Sequence, residues 1–374
     1  MKILIIHSYG MGDMVMSTPM IEKLKNMYND PLIDFLIPDN QKASKKVIEN
    51  FSCTNKIMIL SNQTGKYRIL NKVARLLQIT RKSFELKKEK YDLCIMTSGT
   101  TGYLYGYLLF LIKAEIKIME YREENKLLRK INNIIKISTY STIFSKEIHR
   151  VTANLNLLTD LDKKNNSTFK KIETKYYLSE ENIDFSNSFF KKYRLENEKV
   201  LGVHPGCNSE FKEKRWSKEN YLEVINALRK KINIIIFIGP DEKEVGEYLK
   251  NRIAKSSKVI FFEENNLSNV AAVISKCTFF FNSDSGLGHI AGCFKLKKTF
   301  TIFGPANPKI ARVFNKNNVI FYKESTEQNY YLEKDNKGDL KCLSDITSEE
   351  VIEVIEKEIR NERGNEFEDS ILYK

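Results

Sequence analysis

The chain has 374 residues, 42% hydrophobic and 29% charged, which is enough for two α/β domains each with its own core. Lys and Arg outnumber Asp and Glu by 61 to 48, and the formal charge of +13 favours anionic partners such as nucleotide phosphates or a phospholipid surface. The lysines run from end to end with acids among them and no nucleic-acid-binding motif beside them, so nucleic acid is not an expected partner.

The six cysteines, Cys53, Cys94, Cys207, Cys277, Cys293 and Cys342, have no C-x-x-C spacing. They read as reduced structural thiols of a cytoplasmic protein, with no metal site. The opening MKILIIHSYGMGD carries too short an apolar run for a signal peptide. The most apolar later run, 103–112, is about half of the roughly 20 residues that a membrane span needs. Any membrane contact is therefore expected to be peripheral.

In chain order, residues 2–7 read as a buried parallel strand, followed by Ser8, Gly10, Gly12 and Asp13 and then a helical pattern from Met14 to about Met27. The third glycine of a dinucleotide-binding loop falls at Val15, and Asp34 sits inside the next strand instead of ending it, so a dinucleotide site is disfavoured. Asp13 reads either as a helix cap or as a base aimed into a cleft. Further strand-like runs at 32–37, 56–60, 92–96 and 115–119 alternate with helical periods, which predicts a parallel sheet with helices on both faces.

Polar stretches at 160–167 and 193–198 bracket an expected linker region. A second set of strands follows at 200–204, 232–238, 258–262, 278–281 and 298–303. The fourth breaks into Asn282, Ser283, Asp284, Ser285 and Gly286 before a helix carrying His289. Such a junction offers backbone N–H groups to a phosphate, or is an ordinary capped turn; both readings stand on spacing alone. Two doubly wound domains in tandem are the consequence. The expected boundaries are 1–190 (with the linker from about 160), 191–345, and 346–374, where an amphipathic helix at 348–360 packs back toward the first domain and a polar tail frays beyond Gly364. Ligands of open α/β sheets bind at the carboxyl ends of the strands, so a cleft between the two domains is the expected site.

Five segments, KILIIHSYGMGDMVMSTPMIEKLK, GVHPGCNSEFKEKRWSKENYLEVINAL, IFIGPDEKEV, SDSGLGHIAG with TIFGPANP, and CLSDITSEEVIEVI, resemble in order and spacing the family 9 glycosyltransferases, the bacterial heptosyltransferases. The resemblance covers about residues 1–360. It implies a GT-B fold, two Rossmann-like domains facing a central cleft, and an inverting, metal-independent transfer of heptose from ADP-heptose to a lipopolysaccharide or lipooligosaccharide core acceptor. It implies no cofactor beyond the nucleotide sugar itself, and a cytoplasmic enzyme at the inner face of the membrane with a lipid-linked acceptor and an anionic lipid surface as partners. By position Asp13 is the implied base and Lys214 the diphosphate contact. Asp284, Ser285, Gly286 and His289 match the phosphate turn and helix, Glu242 an acid on the ribose hydroxyls, and Ser8 and Gly12 the loop around the base. Without the resemblance, Lys214 reads as a solvated lysine, Glu242 as an exposed helix start and His289 as a core histidine. The segment LIKAEIKIMEYREENK lacks the family's Arg-x-Gly element, so acceptor contacts there do not carry over. Another nucleotide-diphosphate sugar with another surface-glycan acceptor, an epimerase on the same fold, and a non-catalytic nucleotide-sugar binder are the competing readings.

Overall fold

Buried strands alternating with helices form two parallel sheets, one in each of two units, Met1–Tyr177 and Leu178–Lys374. The computed structural model describes residues 1–61, 68–122, 126–165, 172–207, 209–254, 256–325, 332–336, 338–361 and 371–373. The first sheet comprises β1 (Lys2–Ile6), β2 (Leu32–Pro38), β3 (Thr54–Leu60), β4 (Tyr91–Met96), β5 (Ala114–Tyr121) and β6 (Tyr140–Ile143), in the order β3-β2-β1-β4-β5-β6. The second comprises β7 (Val200–His204), β8 (Asn233–Ile238), β9 (Val259–Glu263), β10 (Phe279–Ser283), β11 (Lys298–Ile302), β12 (Asn318–Phe321) and β13 (Ile371–Tyr373), in the order β13-β12-β11-β10-β7-β8-β9. Read from β9, this repeats the first order with one strand added. Each sheet therefore reverses direction at one point, between β1 and β4 and between β7 and β10, as in doubly wound nucleotide-binding folds.

The inner strands are continuous apolar runs because helices cover both faces. One face of the first sheet carries Leu4, Ile6, Cys94, Met96 and Met119 against Ile79, Leu86, Leu108 and Leu109 from the helices Arg68–Lys87 and Tyr103–Leu111. In the second unit Leu201, Val203, Ile234, Ile236, Phe279 and Phe281 pack with Trp216, Tyr221 and Val224. β6, β12 and β13 were not expected from sequence: β6 is a half-exposed, polar edge strand, β12 has only four residues, and β13 lies in the tail expected to fray. β13 pairs parallel to β12, with Val319 opposite Ile371, while residues 362–370 lie outside the described residues.

Two expected boundaries move. The extended segment before residue 178 belongs to the first unit: the Lys175 N–H donates to Thr18 Oγ1 (2.9 Å) and the Tyr177 ring packs edge-on to Phe51 at 4.8 Å. The helix Glu180–Lys192, placed by the sequence reading in the first domain, buries Phe190 with Val270, Val273 and Ile274 of the second. Its Asn182 Nδ2 also donates to Asn269 Oδ1 at 3.0 Å. The apolar stripe of the helix Ser348–Arg360 is buried within the second unit. Val351, Ile355 and Ile359 are buried with Val224 and Leu228 of the helix Lys218–Leu228. That helix already lies on its own sheet, so a second apolar stripe in the same unit closes the nearer core.

Candidate active site

The helix after β1 begins at Met11, so Gly12 and Asp13 lie in its first turn instead of preceding it. Pro19 interrupts the helix without a free carbonyl, because Thr18 Oγ1 donates to Val15 O at 2.7 Å, the acceptor that the proline nitrogen cannot serve. Gly10 is the N-cap and makes no side-chain cap, which leaves the Asp13 carboxylate at the positive end of the helix. Arg150, at the start of the helix Arg150–Asn156, brings Nε to 3.8 Å from Asp13 Oδ1.

Arg150 is held on three sides. Its Nη1 donates to Ser98 Oγ at 3.1 Å, and its guanidinium lies 4.8 Å from the centre of the Phe144 ring. Ser98 Oγ contacts both oxygens of the buried Glu120 at 3.0 Å, and the Gly99 N–H donates to the same carboxylate at 2.8 Å. Asn154 completes the frame, accepting from the Ser98 N–H at 2.8 Å. Gly99 has φ +87°, and a Cβ there would stand 3.1 Å from both Arg150 and Tyr9, so the turn after β4 favours glycine for two reasons. Ser8 is tied to Thr100, its N–H at 3.1 Å and its Oγ at 3.2 Å from Thr100 Oγ1. His7 bonds Thr97 Oγ1 (2.9 Å) and Gly10 O (3.3 Å), and burial pushes its pKa down to about 4, with Arg150 adding to the fall. Asp34, the acid that does not end its strand, is buried and accepts from Asn55 (2.7 Å) and Tyr91 (2.8 Å): it is a structural residue.

In the second unit the residues after β7, β8 and β10 converge. Lys214 Nζ is 3.3 Å from Asp284 Oδ2. Glu242, read from sequence as an exposed helix start, is 4% exposed. Burial pushes its pKa up, but His204, Arg215 and the Gly239 N–H together outweigh that and hold it below the usual carboxylate range. His204 stands between two loops, with Nδ1 3.2 Å from Ser285 Oγ and Nε2 3.7 Å from Glu242 Oε2. Arg215 Nη2 clips the loops after β7 and β8, donating to Cys207 O (2.6 Å) and Asp241 O (2.9 Å). Gly206 leaves room for Glu242, since a Cβ there would lie 2.1 Å from its Cγ.

Ser285 caps the helix Gly286–Ala291. At such a start the N–H groups of Gly286 and Leu287 have no intrahelical acceptor. His289 is buried, its Nδ1 makes no hydrogen bond within the protein, and burial depresses its pKa, with Lys214 lowering it further and Asp284 opposing. Sequence reasoning missed His204, Arg215, Arg150, Ser98 and Glu120. His204 and Arg215 stand inside the quoted motifs, next to the residues chosen. The other three carry no local signal, because only strand order sets β4 beside β1 with β5 next to it and brings residue 150 close.

Two doubly wound sheets in tandem, each with its polar groups at its own switch point, are the architecture of the GT-B fold. The profile of glycosyltransferase family 9 (heptosyltransferase) matches residues 79–340. The chain belongs to this family, and it is a glycosyltransferase. It is 24% identical to a lipooligosaccharide heptosyltransferase 2 of Haemophilus ducreyi, over 86% of this chain and 88% of that protein. It is 25% identical to a lipopolysaccharide heptosyltransferase 3 of Escherichia coli K12, over 92% and 94%. Among solved structures, a family 9 glycosyltransferase of Veillonella parvula shares the fold with a TM-score of 0.74 at 19% identity, covering 96% of this chain and 97% of that one. The E. coli ADP-heptose heptosyltransferase II superposes with a TM-score of 0.71 at 16% identity, covering 96% and 98%.

Proposed function

We propose that the enzyme transfers a heptose from ADP-heptose to a lipopolysaccharide or lipooligosaccharide core acceptor, with inversion and without a metal. The observation that carries the reading is the match of the family profile to a stretch that holds Lys214, Glu242 and the turn 284–289, brought together at one switch point. In this reading the Asp13 carboxylate takes the proton of the acceptor hydroxyl as that oxygen bonds the anomeric carbon. The bond from the anomeric carbon to the diphosphate oxygen breaks, and the nucleoside diphosphate leaves with the electron pair. Lys214, the first N–H groups of the turn and the unsatisfied His289 Nδ1 are the groups proposed to receive its charge. Glu242, kept ionised, is proposed to accept from the ribose hydroxyls.

The proposed setting is the cytoplasmic face of the membrane, with a lipid-linked acceptor. Among the described residues no helix is long and apolar enough to cross a membrane, and the charge of +13 suits a phosphorylated acceptor. The test is thermal stabilisation by ADP, UDP and GDP on the native chain, followed by transfer assays with the preferred nucleotide's sugar. A ligand at about 100 times its dissociation constant adds about 2.7 kcal/mol. Preference for ADP with heptose transfer supports the reading. Preference for UDP or GDP replaces the sugar and keeps the transferase.

A further inference from the structure

The three helices on one face of the first sheet bury one stripe each and leave a second apolar stripe outside. Ile79 and Leu86, Leu108 and Leu109, and Ile131 face the sheet from the helices Arg68–Lys87, Tyr103–Leu111 and Lys126–Ile135. From the same helices Leu77 is 64% exposed, Phe84 59%, Tyr103 52%, Leu127 58% and Ile134 79%. An amphipathic surface helix needs only its inner stripe to be apolar, and apolar residues left exposed outside that stripe are available to an interaction surface.

The charge on and beside these helices is mostly basic: Glu89, Glu115, Glu123 and Glu124 stand just beyond their ends in sequence, but Lys and Arg outnumber them. Glu85 is the only acid in the three helices, and it is already engaged by Arg81 at 3.8 Å and Lys82 at 2.9 Å. Lys87, Lys113, Lys126, Arg129, Lys130 and Lys136 are all exposed on these helices or just beyond their ends. A second copy of the chain would set this basic face against its like. An anionic bilayer instead accepts the apolar side chains among its acyl chains and the cations at its headgroups.

We propose that this three-helix face is the surface by which the enzyme lies on anionic phospholipid. The proposal deepens the membrane setting given above by naming the part that docks. In a doubly wound sheet these helices run antiparallel to the strands, so Tyr103 and Leu127 start near the sheet edge that carries Asp13. A lipid-linked acceptor lying in the same bilayer then meets the base without leaving the membrane.

The experiment is vesicle flotation of the full chain with phosphatidylcholine alone and with phosphatidylcholine mixed with phosphatidylglycerol. The native protein is expected to float with the anionic vesicles and to be released by salt. Leu77→Glu combined with Ile134→Glu is expected to weaken flotation about tenfold or more, as is Lys126→Glu with Lys130→Glu. All four positions are exposed, so the thermal midpoint and its rise with nucleotide should stay at native values. Equal flotation with neutral vesicles, no flotation, or flotation unchanged in both variants overturns the proposal. A dimer dispersed by the Leu77/Ile134 variant also overturns it and assigns the face to a second copy. Transfer to a soluble acceptor, assayed separately, reports on the catalytic reading alone.

Discussion

Arg150 places its Nε 3.8 Å from Asp13 Oδ1 while its Nη1 donates to Ser98 Oγ at 3.1 Å. A carboxylate at a helix start is ordinarily a cap, but here a cation fixed by Ser98, by the Phe144 ring and by the buried Glu120 behind them faces it. In the proposed mechanism the pair divides two roles, Asp13 as the base and Arg150 as the cation that orients it.

Asp13→Asn should lower transfer by about two to four powers of ten, the usual contribution of a general base. The rise in thermal midpoint with ADP should persist, because the groups proposed to hold the nucleotide belong to the second unit. Arg150→Met should lower kcat with little change in the donor KM and should displace the acid limb of the pH–rate profile. A purely structural arginine would lower the thermal midpoint and leave that limb in place.

Lys214 and Asp284 hold each other at 3.3 Å. Lys214→Ala removes a cation from the proposed diphosphate site and should weaken ADP more than adenosine, read as a loss of ligand-induced stabilisation. Equal weakening of both ligands would take Lys214 away from the diphosphate.

Gly206→Ala tests whether the carboxylate must lie where it does. The added Cβ would stand 2.1 Å from Glu242 Cγ, so the acid has to move or the loop has to shift. Overpacking of this kind costs about 1–3 kcal/mol. Unfolding in urea should show it, together with a weaker response to any nucleotide that carries a ribose.

His7 makes stability fall with acid. Its folded pKa of about 4 lies below the ordinary 6.5, so between these values the unfolded chain binds a proton that the folded one does not. Stability is full above 6.5 and declines as pH falls toward 4, by on the order of 3 kcal/mol for a shift of this size. His289 is lowered as well and acts in the same direction. His7→Gln, compared with the native chain by urea unfolding at several pH values, should flatten the curve over this window.

Transfer should continue in excess EDTA. The proposed chemistry assigns the leaving group's charge to Lys214 and to backbone N–H groups, and neither is removed by a chelator. Loss of activity restored by a divalent ion would overturn that assignment.

Much of the fold was legible because a parallel strand covered on both faces must be an apolar run, as in KILII of β1 and NIIIFI of β8. The edge strand β6 and the short strand β12 escaped because half-exposure or shortness removes that signal. Lys214, Glu242 and Asp284 stood out by motif, yet the burial of Glu242 did not, since a glutamate after Gly-Pro-Asp looks solvated until Gly206, at the end of the neighbouring strand, opens space for it.

By itself the sequence determined the alternation of elements, the two units in tandem, the family and the positions of Asp13, Lys214 and the turn 284–289, all of which are local patterns. Tertiary structure alone decided that Glu120, Ser98 and Arg150 stand behind Asp13 and that His204 reaches from Ser285 to Glu242. It alone decided that the helix Ser348–Arg360 packs on Lys218–Leu228, and that a basic, apolar helix face stays uncovered. The physical reason is strand order: parallel crossovers place β4 beside β1 and β10 beside β7, and side chains far apart in the chain become neighbours only through that winding.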